Sequence, residues 1–276
     1  QGFLSVMDLM PNQPEIANAA SYLAPLSEID RASKYPYNAP SSSYVLSHGA
    51  LLGLDQATLD ADGGGLLAGR VPVLSVGSNR APVQLLRKFG SSAVVPVTPA
   101  RLHDCDIVHT AYIGYYAAVP CTAFPMIGTV VNLNVAWLDP KQLMQMHRTE
   151  GIGVAYDFVE MQTVEHQMKV PKTSIFGYAA RFGVLDCGER QPGALAAIKA
   201  RGRRLETLDQ AQAVTLVREL SGVNDCRSMS KFISDMQRDK NARDGVVERL
   251  RSHAIHPQNP PWTVVPVVVG NIEDYL

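Results

Sequence analysis

Cysteine is scarce in this chain and builds no framework. Cys105, Cys121, Cys187 and Cys226 include no C-x-x-C pair and match no zinc-ligand spacing, although His103 and His109 flank Cys105 in what reads as a strand. Four thiols among 276 residues are too few for a disulfide scaffold and predict reduced side chains in a cytoplasmic protein. An excess of charge of either sign is also missing. The formal net charge of −1 leaves no basic field to draw in nucleic acid. The longest basic cluster, Arg201-Gly202-Arg203-Arg204, is balanced by Glu206 and Asp209 and reads as a solvated helix face. No apolar run reaches the length of a membrane span, so no membrane is expected as a partner. The start, Gln1-Gly2-Phe3-Leu4-Ser5, lacks the charged and then apolar pattern of a secretion signal, and none is expected. Internal repeats and low-complexity tracts are absent as well.

What is present is apolar material. At 46% hydrophobic residues the chain can bury a full core, as one large domain or one domain with sizeable extensions. Residues 1–69 are loosely patterned and punctuated by prolines at 11, 14, 25, 36 and 40. They predict an N-terminal extension that wraps the core, with short helices near 14–22 and 55–61. Order begins with the buried strand Val71–Val76, the turn Gly77-Ser78-Asn79, and a helix opened by Pro82 and ended by Gly90. Strands are expected at 93–97, 106–110, 119–123 and 129–138. Asp139-Pro140 then has the chemistry of a helix start, and Gly151 that of a stop. Further strands are expected at 156–163 and from 175. Residues 192–221 read as a helix pair or one bent helix, and 228–254 as another helix. Residues 262–269 read as a strand or extended arm.

Two places carry candidate chemistry. A strand that ends in glycine and turns into a helix leaves backbone N–H groups around one concavity, which suits a carboxylate or a developing oxyanion. Ser78 and Asn79 add side-chain donors there, or else simply cap the helix. The second place is Glu150. It sits at the helix end where the macrodipole is negative, which together with burial favours a raised carboxyl pKa of the kind a general base near neutral pH needs. An exposed, slightly disfavoured glutamate is the plainer reading. Tyr112, Tyr115 and Tyr116 line a pocket or pack the core, and Cys121 reads as core. Ser47, Ser75 and Ser78 lack a G-x-S-x-G elbow, so no serine nucleophile is expected.

Taken in order, Val76-Gly77-Ser78-Asn79, Ala100-Arg101-Leu102-His103-Asp104, Gly128-Thr129-Val130-Val131, Glu150-Gly151 and Tyr156 resemble the γ-glutamylcyclotransferase family over about residues 71–163. The resemblance implies an α+β fold: a mixed β-barrel with surrounding helices at 70–185 and a mainly helical C-terminal extension at 186–276. It implies Glu150 as general acid and base, cyclising a γ-glutamyl amide to 5-oxoproline and a free amine, without metal or cofactor. It places substrate against Val76, Gly77, Ser78, Asn79, Arg80 and Tyr156. A small-molecule amide is then the expected partner. Two positions depart from the family pattern. Val76 stands where the family has tyrosine, and Arg80 where leucine is common, which leaves open a different acyl group. A related amide-processing enzyme, or a non-catalytic binding or scaffold protein on the same barrel, remains the alternative. Residues 1–69 or 190–276 can cover the barrel mouth.

Overall fold

The structure, a computed structural model, describes residues 16–223 and 228–267. It is a mixed α+β fold on one large, mostly antiparallel sheet. Two short helices, α1 (Ala19–Leu23) and α2 (Glu28–Ser33), precede a hairpin of β1 (Tyr44–Ser47) and β2 (Ala50–Gly53), and α3 (Gln56–Ala61) follows. Then come β3 (Val71–Ser75), a single 3-10 turn at Ser78–Arg80, and α4 (Pro82–Phe89). Two long strands, β4 (Val94–His109) and β5 (Cys121–Leu138), pair along their length and form the spine of the sheet. Next are α5 (Pro140–Glu150), β6 (Tyr156–Met161), β7 (Val164–His166) and β8 (Ile175–Ala180). Short strands β9 (Val184–Leu185), β10 (Ala194–Leu195), β11 (Ala200–Arg201) and β12 (Thr207–Leu208) lead to α6 (Gln210–Leu220), α7 (Met229–Arg238) and α8 (Lys240–Leu250). The edge pieces β13 (Ala254–Ile255) and β14 (Trp262–Val264) close the described chain.

The sheet buries both faces, and the strand period of two sorts its residues between them. From β3 and β5, Leu74, Leu133, Val135 and Trp137 join one core. Their neighbours Val73, Ala136 and Leu138 join another, against Leu85 of α4 and Met146 of α5. A third cluster packs α6, α7 and α8 on Ala111, Ile113, Ala117, Val119 and Leu185. The C-terminal helices therefore sit on the segment between β4 and β5.

Several expectations are corrected. Among the described residues the strands run in an open path from β12 to β14 and no closed ring is formed. The segment 1–69 does more than wrap the core, because β1 pairs with Val94–Val97 and adds a hairpin to the sheet. The four separate strands expected between 93 and 138 are two. Pro99 and Pro125 lie within the ribbon, and a register shift at Asp104 (φ 54°) absorbs the irregularity. Residues 194–208 hold three two-residue strands joined by turns, not helix. The edges left open along β4 and β5 pair with β10 and β11, and tertiary pairing outweighs the weak local helix pattern after Pro192. Helix begins only at the Asp209–Gln212 capping box. The helix expected over 228–254 is two, broken at Asp239, whose side chain caps α8 by accepting from Ala242 N. The basic cluster is not a solvated helix face either. Arg203 grips the fully buried Asp106 at both oxygens, at 2.8 and 2.7 Å. Cys226 and residues 268–269 of the expected terminal strand lie outside the described residues.

Candidate active site

The tip of β3 and the end of α5 meet. Asp139 opens α5 with a full capping box and Pro140 takes its first position, as the sequence predicts. Gly151, at φ 60°, stops the helix in the left-handed region and leaves Glu150 as its last residue. From the other side, Asn79 donates through Nδ2 to Glu150 Oε1 at 3.0 Å. That bond ties the turn to the end of α5. Neither the 3-10 turn nor α4 receives a side-chain cap, so Ser78 and Asn79 are not capping groups. Both line a cavity of about 420 Å³, together with Val76, Gly77, Glu150 and Tyr156. Among the described residues no acceptor takes the backbone N–H of Gly77, Ser78 or Asn79.

Glu150 is not the isolated carboxyl that its helix position suggests. Lys88 of α4 forms an ion pair with Oε1, the oxygen that Asn79 also holds, and Lys88 Nζ touches Met146 Sδ at 3.2 Å. The lysine side chain is 3% exposed and the glutamate 16%, so the pair is well removed from water. Lys88 escaped the sequence reading, but a signal for it existed. Gln84, Leu85 and Lys88 share the buried stripe of α4, and a polar residue inside an i, i+3, i+4 stripe needs a partner.

Tyr35 was also missed. Its hydroxyl reaches in from the N-terminal segment, accepts from Cys121 N at 3.2 Å and lies 3.2 Å from Cys121 Sγ. A Cβ placed on Gly77 would collide with that hydroxyl and stand 2.9 Å from Cys121 Sγ. Tyr35 thus stands beside the turn although it is distant from it in sequence. Burial first, then the neighbouring Cys121, Tyr116 and Tyr156, hold Tyr35 well above the ordinary tyrosine range. Burial pushes Cys121 up to about 12, against the lowering effect of its bond to Tyr35. Tyr156 donates to Cys121 O at 3.3 Å, and burial followed by the charge of Glu150 keeps it protonated. The Tyr112, Tyr115 and Tyr116 cluster lines the cavity. Tyr115 accepts from Arg31 at 2.7 Å and from Arg87 at 3.1 Å.

Arg80 is the one expected site residue that faces away. A 3-10 turn rotates successive side chains by roughly 120°, so Asn79 and its neighbour diverge. Arg80 lines a separate cavity. Residues from both extensions line the cavity: Tyr35 from the N-terminal one, and Arg243, Val247 and Arg251 from α8 and the turn after it. Among the described residues, no group of three or more His, Cys, Asp or Glu is placed to hold a metal ion. Likewise, no described helix is long and apolar enough to cross a membrane. Cys105, Cys121 and Cys187 are free thiols.

Fold and site together define an α+β protein whose sheet carries a cavity with a paired carboxylate beside a Gly-Ser-Asn turn. Neither a scan against protein-family models nor searches of curated proteins and of solved structures finds a match to this chain.

Proposed function

We propose that the chain is an acid/base enzyme that cyclises a γ-glutamyl amide, on a fold akin to the γ-glutamylcyclotransferases. The observation that carries this reading is the 3.0 Å bond from Asn79 Nδ2 to Glu150 Oε1, which joins the turn and the carboxyl at one cavity wall. Oε1 is taken by Lys88 and Asn79, while Oε2 has no partner among the described residues. Oε2 is the oxygen that takes a proton from the substrate α-ammonium. The freed amine attacks the γ-carbonyl carbon of the same molecule, forming the ring C–N bond. Free N–H groups at Gly77, Ser78 and Asn79 suit the oxyanion that develops. Glu150 returns its proton to the leaving nitrogen as the amide C–N bond breaks, and the second proton shed by the ring nitrogen protonates the released amine, giving 5-oxoproline and an ammonium. Holding both reacting groups of one molecule in place lowers the entropic part of the barrier. Basic side chains outnumber acidic ones around the cavity, Arg87 and Arg243 among them, which suits a substrate with carboxylates.

A second reading has its own support. A carboxylate already held by a buried lysine is also what a non-catalytic binding pocket contains. Incubation with γ-glutamyl amino acids and γ-glutamyl amines, with 5-oxoproline as readout, separates the two. Turnover that drops by about 10²- to 10⁴-fold in Glu150→Gln, with an unchanged circular dichroism spectrum, is the result expected of the enzyme. Saturable binding of the same compounds without any 5-oxoproline decides for the binding protein.

A further inference from the structure

The residue after Asn79 opens onto different chemistry. Arg80 lines a second cavity of about 440 Å³ that shares no residue with the first. Arg80 is half-buried, and desolvation holds the pKa of its guanidinium below the ordinary arginine value. Among the described residues no carboxylate pairs with it and no acceptor takes its N–H groups. A half-buried guanidinium with no counter-ion gains from a bound anion.

The rest of the cavity points to the same ligand. The β4–β5 register pairs Pro99 with Asn134 and Arg101 with Asn132, so Arg101, Asn132 and Asn134 share one face of the ribbon. Asn134 is 3% exposed, yet its side-chain amide bonds to no described residue. Arg101 and Lys199 stand at exposed positions of the lining. No acidic residue lines the cavity. The nearest in register is Glu165, opposite Arg101, and its carboxylate is turned to His103 Nε2 at 3.0 Å. Three cations and the side-chain amides of Asn132, Asn134 and Gln167 exceed what a single carboxylate neutralises. They match the several oxygens and multiple charge of a phosphate group, which an arginine fork binds at two oxygens. The cavity is open to solvent on one side, and its volume of about 440 Å³ is in the range of small-molecule sites. We propose that this second cavity binds a small phosphorylated molecule through its phosphate group, with Arg80 as the inner contact and Arg101 and Lys199 as the outer ones. The assignment is independent of the Glu150 chemistry.

Isothermal titration of the full chain with inorganic pyrophosphate tests it. One saturable site is expected, weakened about tenfold in Arg80→Gln, as loss of one charged hydrogen-bonding group implies. Arg101→Gln and Lys199→Gln lie at exposed positions, so they carry the test if Arg80→Gln does not fold, and each is expected to weaken binding severalfold. Glu150→Gln and Arg87→Gln are expected to leave it unchanged. The proposal is overturned by any of three results: no saturable heat up to about 10 mM, binding that the Arg87→Gln variant removes, or succinate bound as tightly as pyrophosphate.

Discussion

Two nitrogen donors converge on a single oxygen of Glu150, and one of them carries a full charge. The pair is buried, so its stability value depends on both partners being present. Removing Lys88 leaves an uncompensated carboxylate, and the cost of breaking such a pair is about 3–5 kcal/mol. Lys88→Met is therefore expected to lower the urea midpoint sharply, and Lys88→Met/Glu150→Gln to recover a large part of the loss. Additive losses in that cycle would show that the two side chains do not act as a pair. A second residue-scale outcome concerns the thiols. Burial pushes Cys105 and Cys121 up to about 12, so almost no thiolate exists near neutral pH. Iodoacetamide at about pH 8 is expected to spare both in the native protein and to modify them in urea. Rapid native labelling of Cys121, read by peptide mass, would mean that the cavity floor is open.

At the scale of elements, the β3–turn–α4 unit brings a glycine against a phenol from a distant segment. Gly77→Ala forces the Tyr35 hydroxyl and Cys121 Sγ to move, because both occupy the space of the new Cβ. Overpacking of this kind costs about 1–3 kcal/mol. The substitution is expected to lower stability in that range, and pairing it with Tyr35→Phe, which removes the colliding oxygen, is expected to relieve most of the loss. This unit also shows how much of the molecule was legible beforehand. The helix from Pro82 to Phe89, the Asp139-Pro140 start and the Gly151 stop are written in local chemistry, and the structure has them. The juxtaposition of Asn79 with Glu150 is not local: only the family resemblance implied it, and the structure brings the two together. Tyr35 was illegible because nothing near it in sequence encodes what it touches. Lys88 was half legible, as a charge in an apolar stripe. The strands at 194–208 were misread because their pairing partners lie on β4 and β5, and short segments take their structure from the edge they meet. Arg80 was misplaced because sequence adjacency to Asn79 says nothing of the rotation within a 3-10 turn.

Across the whole molecule, three histidines are folded into places that disfavour their charged form. Burial lowers His109, His147 and His166 from the ordinary value of 6.5, with partial opposition at His109 from its bond to Leu208 O. His147 Nδ1 also lies 3.0 Å from the Tyr178 hydroxyl. Each group binds its proton more weakly folded than unfolded. Above 6.5 neither state is protonated and the histidines contribute no pH dependence. As the pH falls through 6.5 the unfolded chain takes up protons that the native protein refuses, so stability falls with it. The urea midpoint is expected to be flat from about pH 8 to 7 and to drop between about 6.5 and 5, above the range where most carboxylates titrate. His166 offers the cleanest control. Its ring stacks on Trp137 with centroids 5.7 Å apart, and both nitrogens are buried without a partner. His166→Phe keeps the stack and removes the titrating group, so the variant is expected to match the wild type near pH 7.5 and to exceed it in stability near pH 5. Parallel midpoint curves for the two proteins over that interval would remove His166 from the account, and a wild-type midpoint that rises on acidification would remove all three.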